Sequence, residues 1–181
     1  MQPIRKLEQV IEALADADHY LFAGSDLQAV LPGYRGLTVL LRRAQRAGVL
    51  KRVCRGVYLY PKVNYLSGLV LFHTAARLRA SGFNYLSLET ALSDAGIISQ
   101  VPINWITLMS SGRSQVVDCG EFGRIEFVHT RQRPAALARE LTYDVERRLW
   151  RASMRLALRD TRATRRSSRN LLNPEVTHEL I

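Results

Sequence analysis

Apolar residues fall at Ile4, Leu7, Val10, Ile11 and Leu14, three or four apart, with polar residues between them. This spacing predicts an amphipathic helix over residues 4–17. His19 to Phe22 reads as a short extended segment. Ser25 is placed to cap a short helix running to Val30, with Asp26 at its positive end, and Leu31-Pro32-Gly33 stops it. Leu37, Leu40, Leu41 and Ala44 then predict a helix over residues 35–47, closed by Gly48. From Val49 the period changes to two. Residues 49–53 and 57–60 read as strands joined at Arg55-Gly56, which is a hairpin.

Pro61-Lys62-Val63-Asn64 reads as a boundary. Beyond it Leu66, Leu69, Val70 and His73 share a helical face that continues to Ser81 and stops at Gly82. Ser87 caps a predicted helix over 88–95, ended by Gly96. Strands are predicted at 103–109, 115–119 and 124–129, with turns at Ser111-Gly112 and Gly120-Glu121-Phe122-Gly123. From Leu137 the spacing reads as helical again through Leu141, Val145, Leu149, Ala152 and Leu156, with a break point at Thr142-Tyr143-Asp144. The predicted fold class is therefore α+β. An N-terminal winged helix-turn-helix over 1–62 precedes a small domain over 63–181, in which helices pack on an antiparallel sheet.

Charge adds the partner class. The 181 residues carry 26 Lys and Arg against 16 Asp and Glu, a net charge of +10. Hydrophobic content of 47% and charged content of 23% are those of a globular chain rather than a disordered one. Such an excess points first to nucleic acid and second to an anionic membrane. No apolar run approaches the roughly 18 residues of a membrane span. Arg5, Lys6 and Glu8, with no apolar core behind them, do not make a signal peptide. Cys54 and Cys119 form neither a metal motif nor a disulfide framework. These features predict a cytoplasmic protein.

The charge is unevenly spread. Residues 1–34 sum to −3, 35–62 to +8, 63–130 to −1, 131–170 to +8 and 171–181 to −2. The first basic block holds eight cations and no carboxylate, whereas a merely solvated face mixes both signs. Its chemistry suits double-stranded DNA. Arg35 and Thr38, at the start of the predicted recognition helix, are expected on base edges. Arg42, Arg43 and Arg46 are expected on phosphates. Lys51, Arg52 and Arg55 are expected on the wing against the backbone or minor groove, while Tyr58 and Tyr60 either pack on the core or donate to phosphate. In the second block Arg147, Arg151, Arg155 and Arg159 are four apart, with Arg162 and Arg166 continuing the side. Like charges so spaced on a helix cost on the order of 0.2–0.5 kcal/mol a pair. The ridge is therefore expected either to meet an acidic protein or nucleic acid, or to be a solvated face offset by acids such as Glu146 and Asp160.

Enzyme chemistry is not indicated. His19, His73, His129 and His178 have no zinc-site spacing, and His73 reads as a core histidine. Gly33-Tyr34-Arg35-Gly36 is a turn rather than a phosphate cradle, and Ser110-Ser111-Gly112 lacks a nucleophile-elbow context. Neither a metal nor a cofactor is expected.

The order of parts resembles the AbiEi-type antitoxin family of type IV toxin–antitoxin and abortive-infection systems. The residues that carry the resemblance are Val53-Cys54-Arg55-Gly56-Val57-Tyr58 in the hairpin and Tyr85-Leu86-Ser87-Leu88-Glu89-Thr90-Ala91-Leu92-Ser93-Asp94-Ala95-Gly96-Ile97-Ile98. The strands ending at Met109 and His129 follow in the same order, so that residues 5–160 are covered. The resemblance implies an N-terminal domain that represses its own operon. It also implies a C-terminal domain that opposes a nucleotidyltransferase-like toxin encoded alongside. A stand-alone regulator and an RNA- or protein-interaction module are the alternatives.

Overall fold

The computed structural model describes residues 3–98 and 104–165. Ile103, Arg166 and His178 lie outside them. The chain divides into two compact units between Val70 and Leu71, eight residues beyond the expected boundary. The shift has a local cause. Val63 packs against the first core, and Tyr65 stacks on Tyr20 with ring centroids 5.0 Å apart, so the segment after Pro61 belongs to the first unit.

In the first unit, α1 (Pro3–Leu14) buries Leu7 and Ile11, the centre of its apolar stripe. β1 (Leu21–Ala23) leads into α2 (Gly24–Val30), which buries Leu27. The cap of α2 differs from expectation. Ala23, not Ser25, holds the cap position, and the Asp26 carboxylate accepts the Ala23 N–H at 2.9 Å. α3 (Leu37–Arg46) buries Leu40, Leu41 and Ala44. β2 (Lys51–Cys54) and β3 (Val57–Leu59) form the expected hairpin, and β1 pairs antiparallel to β3, giving the sheet order β1-β3-β2. Leu7, Ile11, Phe22, Leu27, Leu40, Leu41 and Tyr60 meet in one core.

The second unit starts on α4 (Val70–Leu78) and is built on a six-stranded sheet. Its strands are β4 (Asn84–Leu86), β5 (Trp105–Ser110), β6 (Gln115–Asp118), β7 (Arg124–His129), β8 (Leu141–Asp144) and β9 (Leu149–Ala152). The order is β6-β7-β5-β4-β9-β8, with β5 parallel to β7 and β4 parallel to β9. The expected antiparallel meander is thus replaced by a mixed sheet. Burial explains the change. β7 alternates buried Ile125 and Phe127 and takes the inner position, whereas β6 is mostly exposed and takes the edge.

The expected helix from Leu137 is also corrected. A short α6 (Pro134–Leu137) precedes the β8–β9 hairpin, and among the described residues beyond it α7 (Met154–Ala163) is the helix. α7 opens on Ser153, whose Oγ accepts the Leu156 N–H at 3.2 Å.

α5 (Leu88–Asp94) and α7 cover the sheet face that carries Tyr85 and Met109. Arg79, just past α4, lies 4.0 Å over the Phe127 ring on the opposite face and donates to Ser110 Oγ at 2.6 Å. Burial lowers its pKa. Between α5, α7 and the sheet runs a buried polar network. Ser87 Oγ and Tyr85 OH donate to Asp160 Oδ2 at 2.7 and 3.0 Å, and Thr107 Oγ1 donates to the Ser87 carbonyl at 2.8 Å. Ser87 does hold the cap position of α5, but its hydroxyl serves Asp160 instead of the helix. The next residue, Leu88, is fully buried at φ 55°, a left-handed conformation that costs about 1–3 kcal/mol in a non-glycine residue. Asp160 is 1% exposed and so does not offset a surface ridge. Burial pushes its carboxyl pKa up, against the pull of the Ser87 and Tyr85 hydroxyls.

Candidate nucleic-acid interface

The geometry around α3 follows from local chemistry. Leu31-Pro32-Gly33-Tyr34 closes on a Tyr34 N–H to Leu31 carbonyl bond of 3.2 Å, with proline second and glycine at φ 75° third, the residue pattern of a type II turn. Gly36 at φ 91° then admits the helix. At the other end the Val49 N–H reaches the Ala44 carbonyl at 2.9 Å and the Gly48 N–H reaches the Gln45 carbonyl at 3.1 Å. With Gly48 at φ 71° this is a Schellman stop, in which a left-handed glycine satisfies two orphan carbonyls.

The three buried residues of α3 face the core, so helical geometry turns Thr38, Val39, Arg42, Arg43 and Arg46 outward, and all five are exposed. Among the described residues Arg42, Arg43 and Arg46 form no ion pair. Arg35 also lacks one, but it lies before Gly36 in the turn, so its expected place on the first helical turn is corrected. Gln45 is engaged internally, donating to the Leu41 carbonyl at 3.1 Å. Val39, 52% exposed in the middle of the basic face, escaped the sequence reading. The signal was present: an apolar residue opposite the buried stripe offers a methyl surface of the kind that meets thymine.

In the hairpin Gly56 sits at φ 83°, and the register slips between Arg52 and Cys54. This bulge brings the Cys54 carbonyl to Arg52 Nε, 3.2 Å away, which fixes that guanidinium along the strand. Arg52 and Arg55 are exposed and Lys51 is half-buried. Tyr60 is buried, and burial raises its pKa, so it serves the core. Tyr58 is half-buried and also packs on the core. Lys62 is bound to Glu8 of α1 at 2.5 Å, which raises the pKa of the ammonium, so its charge is met within the fold.

The second block is dispersed. Arg147 lies in the β8–β9 turn and bonds through both terminal nitrogens to Asp94. Its backbone N–H donates to Asp144 Oδ1 at 2.9 Å, and its guanidinium stands 4.5 Å over Phe72. Burial opposes its charge, but the Asp94 bond more than offsets this and its pKa is raised. Arg151 is exposed on β9, while Arg155 and Arg159 lie one turn apart on α7. Arg159 donates to Glu140 Oε1 at 3.0 Å. The expected ridge of four is therefore not a single helical face. His73 is a core residue, its Nε2 2.7 Å from the Glu146 carbonyl oxygen. No helix among the described residues is long and apolar enough to cross a membrane. No protein family matches this sequence, and no curated protein does.

Proposed function

We propose that this protein is a DNA-binding transcriptional regulator whose first unit acts as a winged helix-turn-helix. α3 enters the major groove, with Thr38 and Val39 at base edges and Arg42, Arg43 and Arg46 on phosphates. Arg52 and Arg55 of the hairpin lie against the adjoining backbone, and Arg35 reaches a phosphate from the turn before α3. The observation that carries this reading is the outer face of α3, three arginines without an internal ion pair among the described residues. The order α1-β1-α2-α3-β2-β3, with a hairpin directly after the third helix, supports it.

The test is duplex binding measured by fluorescence anisotropy, with DNA from upstream of the protein's own gene. Affinity should fall by orders of magnitude between about 50 and 200 mM salt. Replacing Arg42, Arg43 and Arg46 together by alanine should cost on the order of 100-fold and flatten the salt slope by about 0.9 for each phosphate no longer neutralised. Unchanged affinity and slope would end the proposal. Preference for structured RNA over duplex in competition would redirect it, because the grooves differ in width and depth.

The resemblance to AbiEi-type antitoxins extends the reading to a repressor that also opposes a nucleotidyltransferase-like toxin. Co-expression with the neighbouring gene product, with and without Arg151, Arg155 and Arg159, tests that step. Failure of the intact protein to retain any partner would remove it.

A further inference from the structure

The outer face of α3 is as informative for the side chains it lacks as for its arginines. A recognition helix meets base edges mainly through its N-terminal turns. In the first turn of α3 the exposed residues are Thr38 and Val39. Their main chain is held in place, because the Val39 and Leu40 N–H groups reach the Gly36 carbonyl at 3.0 and 3.1 Å.

The helix holds no Asn, Asp or Glu. Its one amide, Gln45, donates to the Leu41 carbonyl at 3.1 Å. Adenine therefore finds no outward amide on α3, and cytosine no carboxylate. What the first turn presents is methyl groups, from Val39 and, beside a hydroxyl, from Thr38. Val39 is 52% exposed, so core packing does not account for a valine there. Helix propensity does not account for it either, since two successive β-branched residues form helix less readily than alanine. β-branching does fix χ1, and it holds the methyls of Val39 in one direction at little ordering cost. Arg42 and Arg43 follow three and four positions after Val39, the spacing that sets side chains next to each other on one helix face. An apolar contact beside two phosphate contacts suits the major groove, where the thymine methyl is the apolar group on display.

We propose that Val39 reads a pyrimidine methyl group in the major groove, that of thymine or of 5-methylcytosine. This rests on α3 entering the groove, and it supplies a base preference that phosphate contacts do not carry. It also makes binding responsive to cytosine methylation at the contacted position.

The test compares two duplexes by fluorescence anisotropy with the full chain. One is DNA from upstream of the protein's own gene, and the other is the same sequence with deoxyuridine for every thymidine. The exchange removes only the methyls and keeps the base pairs and phosphates. Burying one methyl is worth about fourfold in affinity, so the native chain should lose at least about fourfold on the uracil duplex. Val39→Ala should bind the two duplexes alike. Its salt slope should match that of the native chain, because no phosphate contact is removed. Arg42→Ala should weaken both duplexes and leave their ratio unchanged. Single uracil exchanges then locate the thymine, and 5-methylcytosine placed there should bind more tightly than cytosine. Circular dichroism checks that each variant keeps its fold. Equal affinity of the native chain for the two duplexes, a thymine preference that survives in Val39→Ala, or equal binding of cytosine and 5-methylcytosine would each overturn the proposal and leave DNA binding itself standing. Failure to bind either duplex at about 50 mM salt would remove the DNA-binding reading and the methyl contact with it.

Discussion

Residues 35–62 and 131–170 each carry a net charge of +8, yet the fold treats them differently. In the first block six of the eight cations lie on one helix and the hairpin after it, within a stretch that holds no acid; Arg42, Arg43 and Arg46 face outward, while Lys62, beyond the hairpin, is taken by Glu8. In the second block turn, strand and helix separate Arg147, Arg151, Arg155 and Arg159, and among the described residues distant carboxylates meet two of these four: Asp94 takes Arg147 and Glu140 takes Arg159. Equal charge therefore does not mean equal availability. A cation is available to an outside anion when the fold brings it no carboxylate, and that depends on which acids the chain folds against it.

This comparison can be broken most forcefully at Asp160, the buried acid in the second unit. Asp160→Ala leaves the Ser87 and Tyr85 hydroxyls buried without their acceptor and should cost about 3 kcal/mol in urea unfolding. Next comes Arg147→Ala. It strands Asp94 and removes the cover of Phe72 at a site where the arginine is 23% exposed, and should cost about 1–2 kcal/mol. A value near zero would mean that the two blocks are equivalent after all. Smallest are the mirror cases. Arg42→Ala, Arg43→Ala or Arg151→Ala should each change stability by no more than about 0.5 kcal/mol, because each is an exposed side chain with no internal ion pair to lose among the described residues.

Acid–base linkage sharpens the same contrast. Burial raises the pKa of Asp160 in the folded protein above its unfolded value of about 3.9. Between the two values the folded state keeps a proton that the unfolded chain has lost. Stability from this group therefore falls as pH rises through that interval and is fully present below about 3.9. Asp160→Asn removes the titration. The difference in unfolding free energy between the native chain and this variant should shift in favour of the native chain on acidification from neutral pH. A difference flat with pH would show that Asp160 titrates normally.

Much of the first unit was legible because its signals are local. The stripe Leu37, Leu40, Leu41 and Ala44, the stop at Gly48 and the turn at Arg55-Gly56 each act over a few residues, and each sits where the spacing placed it. The second unit misled for a specific reason. Leu137, Leu141, Val145 and Leu149 are all four apart, and a spacing of four satisfies a period of two as well as one of 3.6. The β-forming residues between them, Thr142, Tyr143 and Trp150, were the overlooked arbiter. Strand order was illegible for another reason: turns say which strands follow each other, not which one inserts beside a third. The exposed residues of β6 against buried Ile125 and Phe127 of β7 gave the only hint of which would be inner.

By itself, the sequence determined the order of helices and hairpin in the first unit, the two basic blocks and the absence of acids from the first, because periodicity, caps and composition are written within a few neighbouring positions. Only the tertiary structure decided which cations remain available, that Asp160 is buried, and that β7 lies parallel to β5. Those outcomes join residues far apart along the chain, 53 positions between Arg147 and Asp94 and 73 between Ser87 and Asp160, and no local pattern encodes which distant carboxylate a given side chain will meet.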